Sequence, residues 1–490
     1  MTVAIARHSA PPFDVHAVPV ATDPALEPIR AKVLAGERLS LADGDLLFTT
    51  PDIWTVCELA DLVRRRLHGD AAYYNINRHL NYSNVCALSC KFCEFYRKKD
   101  EPGAYTRDME YVKDEVRKAV EAGATEMHSV GGLHPYLPFS YYTDLVSTIR
   151  DTARSLGSEL HVKAFTAVEI VHLAKIAKVY KADDRAAGIR HVLTKLKEAG
   201  LGSLPGGGAE VFDDRVHDEA YKGKIRSDVW LDVHREAHEL GLNTNATILY
   251  GHIEQRHDRL VHMDMLRRAQ DRALARMGYK GTEREGTRHL ALGTRKDNEQ
   301  PQAQSGHLGY SGDEGSDVPV ITLTRPGTPL PEHVAFGLNP SAQCPVPSAS
   351  SGYFQTIIPL PFFPDGSELE HLPGPAGLEN LRTLAIARLM LDNFPHVKAF
   401  WIMQTLPMAQ LMLQSGADDI DGTVVWYDIT KVNHGSGQGS MGGGGDNTLT
   451  HQEVNVWTLQ KAIREAGFKP IERDTLYRRV QRDGKRWNVT

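Results

Sequence analysis

Cysteine is scarce in this chain, with five in 490 residues, and no second Cys-x2-Cys pair follows Cys90 and Cys93. That excludes a disulfide-stapled scaffold and leaves a closed four-ligand zinc site without its second half. Long basic runs are missing too. With a net charge of −6 and both signs mixed along the chain, nothing resembles a row of phosphate-neutralising side chains, which argues against nucleic acid and anionic membrane as partners. No apolar stretch approaches the roughly 20 residues of a membrane span. The start "MTVAIARHSAPPFDVHAVPV" has only about five apolar residues before Arg7, shorter than a signal-peptide core. These absences predict a cytoplasmic protein with reduced thiols, in which clustered cysteines hold metal or do chemistry rather than pair.

What is present is a change of period. Residues 1–22, rich in Pro, Val and Ala, have no clear period and read as a flexible arm. From 23 to 70, apolar residues at helical spacing behind Asp, Ser and Thr caps predict a short helical preface. Short β-rich runs then alternate with amphipathic helices such as "DMEYVKDEVRKAVEAG". The strand candidates are "AYYNIN", "TEMHSVGG", "LHVKAFT", "GSLPGG", "TNATILYG", "YFQTIIPL", "HVKAFWIM" and "DIDGTVV". Eight strand–helix units predict an α/β fold of the (β/α)8 TIM type, with its chemistry at the C-terminal ends of the strands.

The first part of the barrel is expected over 71–280 and the second part, with a C-terminal helix, over 352–490. Between them, before the sixth strand, a Gly/Pro-rich insertion over 281–351 has no sustained period and reads as disordered. A second Gly-rich piece, "NHGSGQGSMGGGGDN", reads as a flexible loop before the last helix.

Three of the five cysteines, Cys86, Cys90 and Cys93, lie within eight positions as Cys-x3-Cys-x2-Cys. Three thiolates on a four-iron cluster leave one iron without a protein ligand, a place to bind and activate a small molecule. The competing reading is a zinc site completed by His79 or Cys57. Cys57 reads as a helix residue and Cys344 as part of the insertion, neither with a role.

The cysteine spacing resembles the radical S-adenosylmethionine (SAM) enzymes, with Phe92 in the aromatic position before the last cysteine. The blocks "NINRHLNYSNVCALSCKFCEFYRKK", "GGLHPYLPFSYY", "KAFTAVEI", "SLPGGGAEVF" and "TNATILYGHIE" resemble the aminofutalosine synthase family of menaquinone biosynthesis. The resemblance runs from about Asp52 to Val425, with the insertion as its main departure. It implies a radical SAM barrel holding a [4Fe–4S] cluster on the cysteine trio, with SAM consumed as a co-substrate. The implied reaction is a C–C bond-forming addition of the 5′-deoxyadenosyl group to 3-[(1-carboxyvinyl)oxy]benzoate, giving 6-amino-6-deoxyfutalosine, methionine and bicarbonate. A flavodoxin or ferredoxin is the implied electron donor. The related cyclase of the same pathway, cyclic dehypoxanthine futalosine synthase, shares the cysteine motif and "LPGGGAE" and is the runner-up; a zinc-stabilised barrel acting as a hydrolase or binding module is the reading outside this class.

Residue roles follow from the strand ends. Gly131 and Gly132 match an element whose backbone receives the methionine amino group, although Leu133 stands where that element has an acid. "PGGGAE" lacks the Lys-Ser/Thr of a P-loop and the dinucleotide spacing, so Gly206, Gly207 and Gly208 read as a turn beneath adenosine, with Glu210 or Glu169 on the ribose or, equally, at a helix start. Arg78 and Arg97 are the candidates for the substrate's carboxylates, with a surface ion pair as the plain alternative. Among His79, His128, His134 and His252, all at strand ends, His252 is the choice for proton transfer.

Overall fold

The computed structural model describes residues 20–280, 319–325, 328, 330, 351–423 and 454–489. The preface is helical: α1 Glu27–Ala35, α2 Leu41–Thr49 and α3 Ile53–His68. Its starts are fixed locally. Ser40 and Asp43 form a capping box at α2, and Asp52 accepts from Thr55 N at α3 while also accepting from Thr22 N.

The barrel follows as β1 Ala71–Asn75, β2 Asn77–Leu80, α4 Met109–Glu121, β3 Glu126–Ser129, α5 Phe139–Ser155, β4 His161–Ala164, α6 Ala167–Ile176, α7 Arg185–Ala199 and β5 Ser203–Leu204. It continues through α8 Asp214–Ala220, α9 Ser227–Glu239, β6 Asn243–Tyr250, α10 Arg256–Arg276, β7 Phe354–Pro361, α11 Gly377–Met390, β8 His396–Val397, α12 Trp401–Gln404, α13 Leu406–Leu413 and β9 Asp419–Gly422. The chain ends on α14 Val456–Glu465, β10 Lys469–Glu472, β11 Val480–Asp483 and β12 Arg486–Val489.

Strands β2 to β8 form one parallel seven-stranded sheet in chain order. The run "AYYNIN" is not the head of that sheet. The strand is interrupted at Ile76, whose carbonyl accepts from Thr125 N; the part up to Asn75, β1, pairs with β9 and β10, while β2, which starts at the run's last residue, pairs with β3. A single bridge from Lys398 to Asp419 carries the register from β8 to β9. The eight strand positions therefore follow one another around the barrel, with β1 and β2 sharing one. No described helix is long and apolar enough to cross a membrane.

Most of the insertion, the arm up to residue 19 and the Gly-rich piece 433–447 lie outside the described residues. Within the insertion, Ile321 and Leu323 are buried, and Thr322 Oγ1 donates to Asp392 while Arg38 holds Asp271 and Asp392 beside it. The last three strands had no counterpart in the sequence reading, which ended on the C-terminal helix.

Parity along the strands decides what faces the lumen. Arg78 turns outward to Glu115 of α4 (2.8 Å), so Asn77 and His79 turn inward. In register with them stand Glu126 and His128 of β3 and Lys163 of β4. Lys163 pairs with Glu126 (2.7 Å), Lys398 with Asp421 (2.7 Å) and, from below, Arg473 with Asp419 (2.7 Å), all buried. Three opposite-charge pairs thus fill the barrel floor with no net charge. Tyr477 stacks on His396 (ring centroids 3.6 Å apart), so the segment after β10 closes the bottom.

Removing one member of a buried pair strands the other. Arg473→Met is expected to cost about 3–5 kcal/mol of unfolding free energy, read from the midpoint of chemical denaturation.

Candidate active site

The chain leaves β2 as Asn81–Asn84 and turns directly into the cysteine loop. Gly132 N donates to Ser83 O (2.8 Å) and Ala87 N to Leu133 O (2.9 Å), tying this loop to the end of β3. A Cβ on Gly131 would meet the Tyr82 ring at 2.6 Å, and one on Gly132 would meet Val85 O at 2.4 Å. The chain's own close approach already requires both glycines.

Loop 86–98 is then held from several sides. Cys86 N donates to Arg97 O (3.0 Å), Lys91 N to Ala220 O (3.0 Å) and Glu368 N to Lys91 O (2.9 Å). Lys98 Nζ reaches the carbonyls of Cys86 (3.2 Å), Ala87 (3.4 Å) and Leu88 (2.8 Å), gathering these oxygens on one ammonium. Backbone N–H groups face the sulfurs: Leu88 N lies 3.4 Å from Cys86 Sγ, and those of Tyr96 and Phe95 stabilise the Cys93 thiolate.

All three thiols are unbridged. Burial pushes the Cys90 thiol up to about 11 against the opposing pull of Lys224, and burial raises Cys93 as well. Binding iron removes the proton outright, and N–H groups aimed at sulfur suit the resulting thiolates. The donor set therefore fits a [4Fe–4S] cluster.

The remaining expected residues surround this loop, several in other roles. Glu169 forms a capping box with Thr166 at α6; Thr166 N (2.7 Å) donates to one carboxylate oxygen, and Tyr82 OH (2.8 Å) and Gly131 N (3.1 Å) to the other. Both oxygens are engaged, so the ribose role passes to the helix-cap alternative. Gly206 abuts the Ala246 backbone, where a Cβ would come within 2.6 Å; Gly207 faces Thr166 Cγ2 at 3.1 Å; Gly208 adopts φ +85° against Val168. Glu210 is paired with Lys224, whose ammonium sits 4.9 Å over the Phe92 ring.

Arg78 is committed to Glu115 and turned away from the lumen, whereas Arg97 is tied to the cysteine loop through Nη1, which donates to the carbonyls of Glu94 (2.7 Å) and Tyr96 (2.8 Å). The His252 side chain is fully buried, with Nε2 on Leu249 O (3.1 Å) and Nδ1 3.4 Å from Glu254. Burial lowers its pKa, and the geometry makes it a strut of the turn after β6 rather than a proton donor to the lumen. His134 sits at the end of β3, with Nδ1 accepting from Tyr136 N (3.2 Å).

The lumen does contain a histidine pair. His79 and His128 lie with ring centroids 4.5 Å apart, and burial holds His79 down to about 4 and His128 well below its usual range. Both feel Asp421, Glu126 and Lys163, so these groups converge. Lys224 and Lys98 escaped the sequence reading. Lys98 adjoins the cysteine motif and could have been suspected, whereas "AYKGKIRS" carries no sign that Lys224 folds back on Phe92.

With this geometry in view, residues 80–266 match the model of the radical SAM superfamily, and residues 350–484 match the CofH/MqnC C-terminal region. The chain belongs to the radical SAM superfamily, whose members use a [4Fe–4S] cluster and SAM. More narrowly, it is 36% identical to the aminodeoxyfutalosine synthase of Thermus thermophilus over 94% of this chain and 97% of that one. It is 35% identical to the aminodeoxyfutalosine synthase of Streptomyces coelicolor, covering 92% of each. Against the 5-amino-6-(D-ribitylamino)uracil–L-tyrosine 4-hydroxyphenyl transferase of Methanopyrus kandleri, identity is 27% over 88% of this chain and 90% of that one. The fold resembles that of methylornithine synthase, with a TM-score of 0.55 at 15% identity, covering 90% of this chain and 96% of that one. Family membership sets aside the zinc-stabilised barrel and makes the chain a radical SAM enzyme that forms C–C bonds.

The Glu169 carboxyl supplies a stability test. Burial raises it from 4.5 to about 7, so the folded chain keeps a proton that the unfolded chain has released. Its contribution is full below about pH 4.5 and is lost as pH rises through about 7. Denaturation at pH 5 and pH 8 is expected to show a smaller loss on going to the higher pH in Glu169→Gln than in the wild type.

Proposed function

We propose that this chain is an aminodeoxyfutalosine synthase. It joins the 5′-deoxyadenosyl group of SAM to 3-[(1-carboxyvinyl)oxy]benzoate, giving 6-amino-6-deoxyfutalosine, methionine and bicarbonate in menaquinone biosynthesis. The observation that carries this reading is identity of 36% and 35% spread over nearly the whole of two such synthases, against 27% for a transferase of comparable coverage.

The bound cluster supplies the chemistry that turns SAM into a source of the adenosyl radical. The chain's part is placement. The cysteine loop is fixed to the end of β3 by backbone contacts, and a dianionic substrate in the lumen would meet the buried ring of Lys163, His128, His79 and Lys398. Lys163 and Lys398 are matched by Glu126 and Asp421 and both histidines are held neutral, so this ring offers carboxylates hydrogen-bond donors rather than net positive charge. A low-potential flavodoxin or ferredoxin serves as electron donor.

Reduced, iron-reconstituted protein incubated with SAM and the enolpyruvyl benzoate is expected to yield an adenosine-containing adduct by mass spectrometry, with one methionine formed per adduct. Free 5′-deoxyadenosine as the only nucleoside product would contradict the reading and favour the cyclase.

A further inference from the structure

On the outer face of β1 and β10, a cleft of about 410 Å3 opens between α14 and β11. The strand itself separates this cleft from the barrel interior: Tyr74 lines it, whereas Tyr73, one residue earlier, packs on His396 and Tyr477 of the floor. The wall is apolar, made by Ile76, Val456, Ile471 and Val480 around the Tyr74 ring. Most polar groups at the rim are already matched. Gln460 Nε2 donates to Tyr74 OH (2.6 Å), while Arg482 Nε donates to both Glu472 oxygens (2.8 and 2.7 Å) and Nη2 to Gly123 O (2.8 Å). Arg479 is the exception. Arg478 and Arg482 on either side of it are paired with Asp474 and Glu472, but Arg479, half-buried at the same wall, makes no side-chain hydrogen bond or ion pair among the described residues. Its backbone is nevertheless fixed by the bridge to Arg473.

We propose that this cleft is a second small-molecule site, which binds a flat aromatic monocarboxylate with its rings against the apolar wall and its carboxylate on Arg479. The volume falls within the roughly 300–1,000 Å3 of ligand pockets. Charge decides the class. Glu472 and Arg482 cancel, which leaves one cation and calls for one anionic group. A planar guanidinium takes a carboxylate through two parallel N–H···O bonds, and an aromatic body offers the Tyr74 ring and the branched side chains a face to pack on. An uncharged ring would leave Arg479 as it stands, and a dianion would bring a second negative charge beside Glu472. The site lies outside the lumen, and its occupancy does not depend on which substrate is joined to SAM.

The test uses the full chain, reconstituted anaerobically with iron and sulfide and titrated by calorimetry with biphenyl-4-carboxylate and, in parallel, with its uncharged isostere biphenyl-4-carboxamide. The wild type is expected to bind the acid about tenfold more tightly than the amide, the difference that one charge-assisted pair makes. Arg479→Met is expected to weaken the acid about tenfold and to leave the amide unchanged, so that the two bind the variant alike. Val456→Trp, which fills the cleft from its half-exposed rim, is expected to abolish binding of both. Chemical denaturation of each variant checks the fold; if Arg479→Met is not folded, Val456→Trp carries the test alone. No binding of the acid by the wild type, equal affinities of the wild type for acid and amide, or acid binding left unchanged in either folded variant would overturn the proposal.

Discussion

Contact between Gly131–Gly132 and the segment Tyr82–Val85 fixes where the cysteines stand. Backbone meets backbone closely enough that a Cβ on Gly132 would lie 2.4 Å from Val85 O, and the hydrogen bonds Gly132 N to Ser83 O and Ala87 N to Leu133 O register the loop on the end of β3. Glu169 completes this arrangement by joining Tyr82 and Gly131 to the start of α6. From this anchored stem, Lys98 gathers the loop's carbonyls, and backbone N–H groups face the sulfurs. Three thiols are thereby presented together, with no fourth cysteine beside them among the described residues, the condition for one iron to stay open to a ligand.

Beneath the loop, the lumen is polar yet neutral. Three buried pairs, Glu126 with Lys163, Asp421 with Lys398 and Asp419 with Arg473, cancel one another, and His79 and His128 are held uncharged by burial. Such groups are costly to bury unless each is matched. The C-terminal segment contributes Arg473 and Tyr477 to the floor, which connects the region matching the CofH/MqnC model to the barrel itself.

Much of this was legible in the sequence. Alternating strand and helix periods identified the barrel, the capping residues identified the helical preface, and the cysteine spacing with Phe92 identified the cluster loop. What the sequence could not supply was side-chain direction. Arg78 stands at a strand end, as a carboxylate anchor would, but its parity points it outward to Glu115. Glu169 is engaged by Thr166 of its own helix start and, across the fold, by Gly131 N and Tyr82 OH, whereas His252 and Arg97 bond carbonyls within three residues of themselves. Lys224 illustrates the converse: it lies 131 positions after Cys93, and only the fold places it against Phe92. The last strands were missed because β10 is stabilised by pairing with β1, almost 400 residues earlier, rather than by a strong local pattern.

The three thiols fit a four-iron cluster with one iron open to SAM. Mössbauer spectra of the reconstituted protein, recorded with and without SAM, test it most directly. About four irons per chain are expected, one of which changes its spectrum when SAM is added. A protein that binds a single zinc, or a cluster whose irons are all indifferent to SAM, would contradict it.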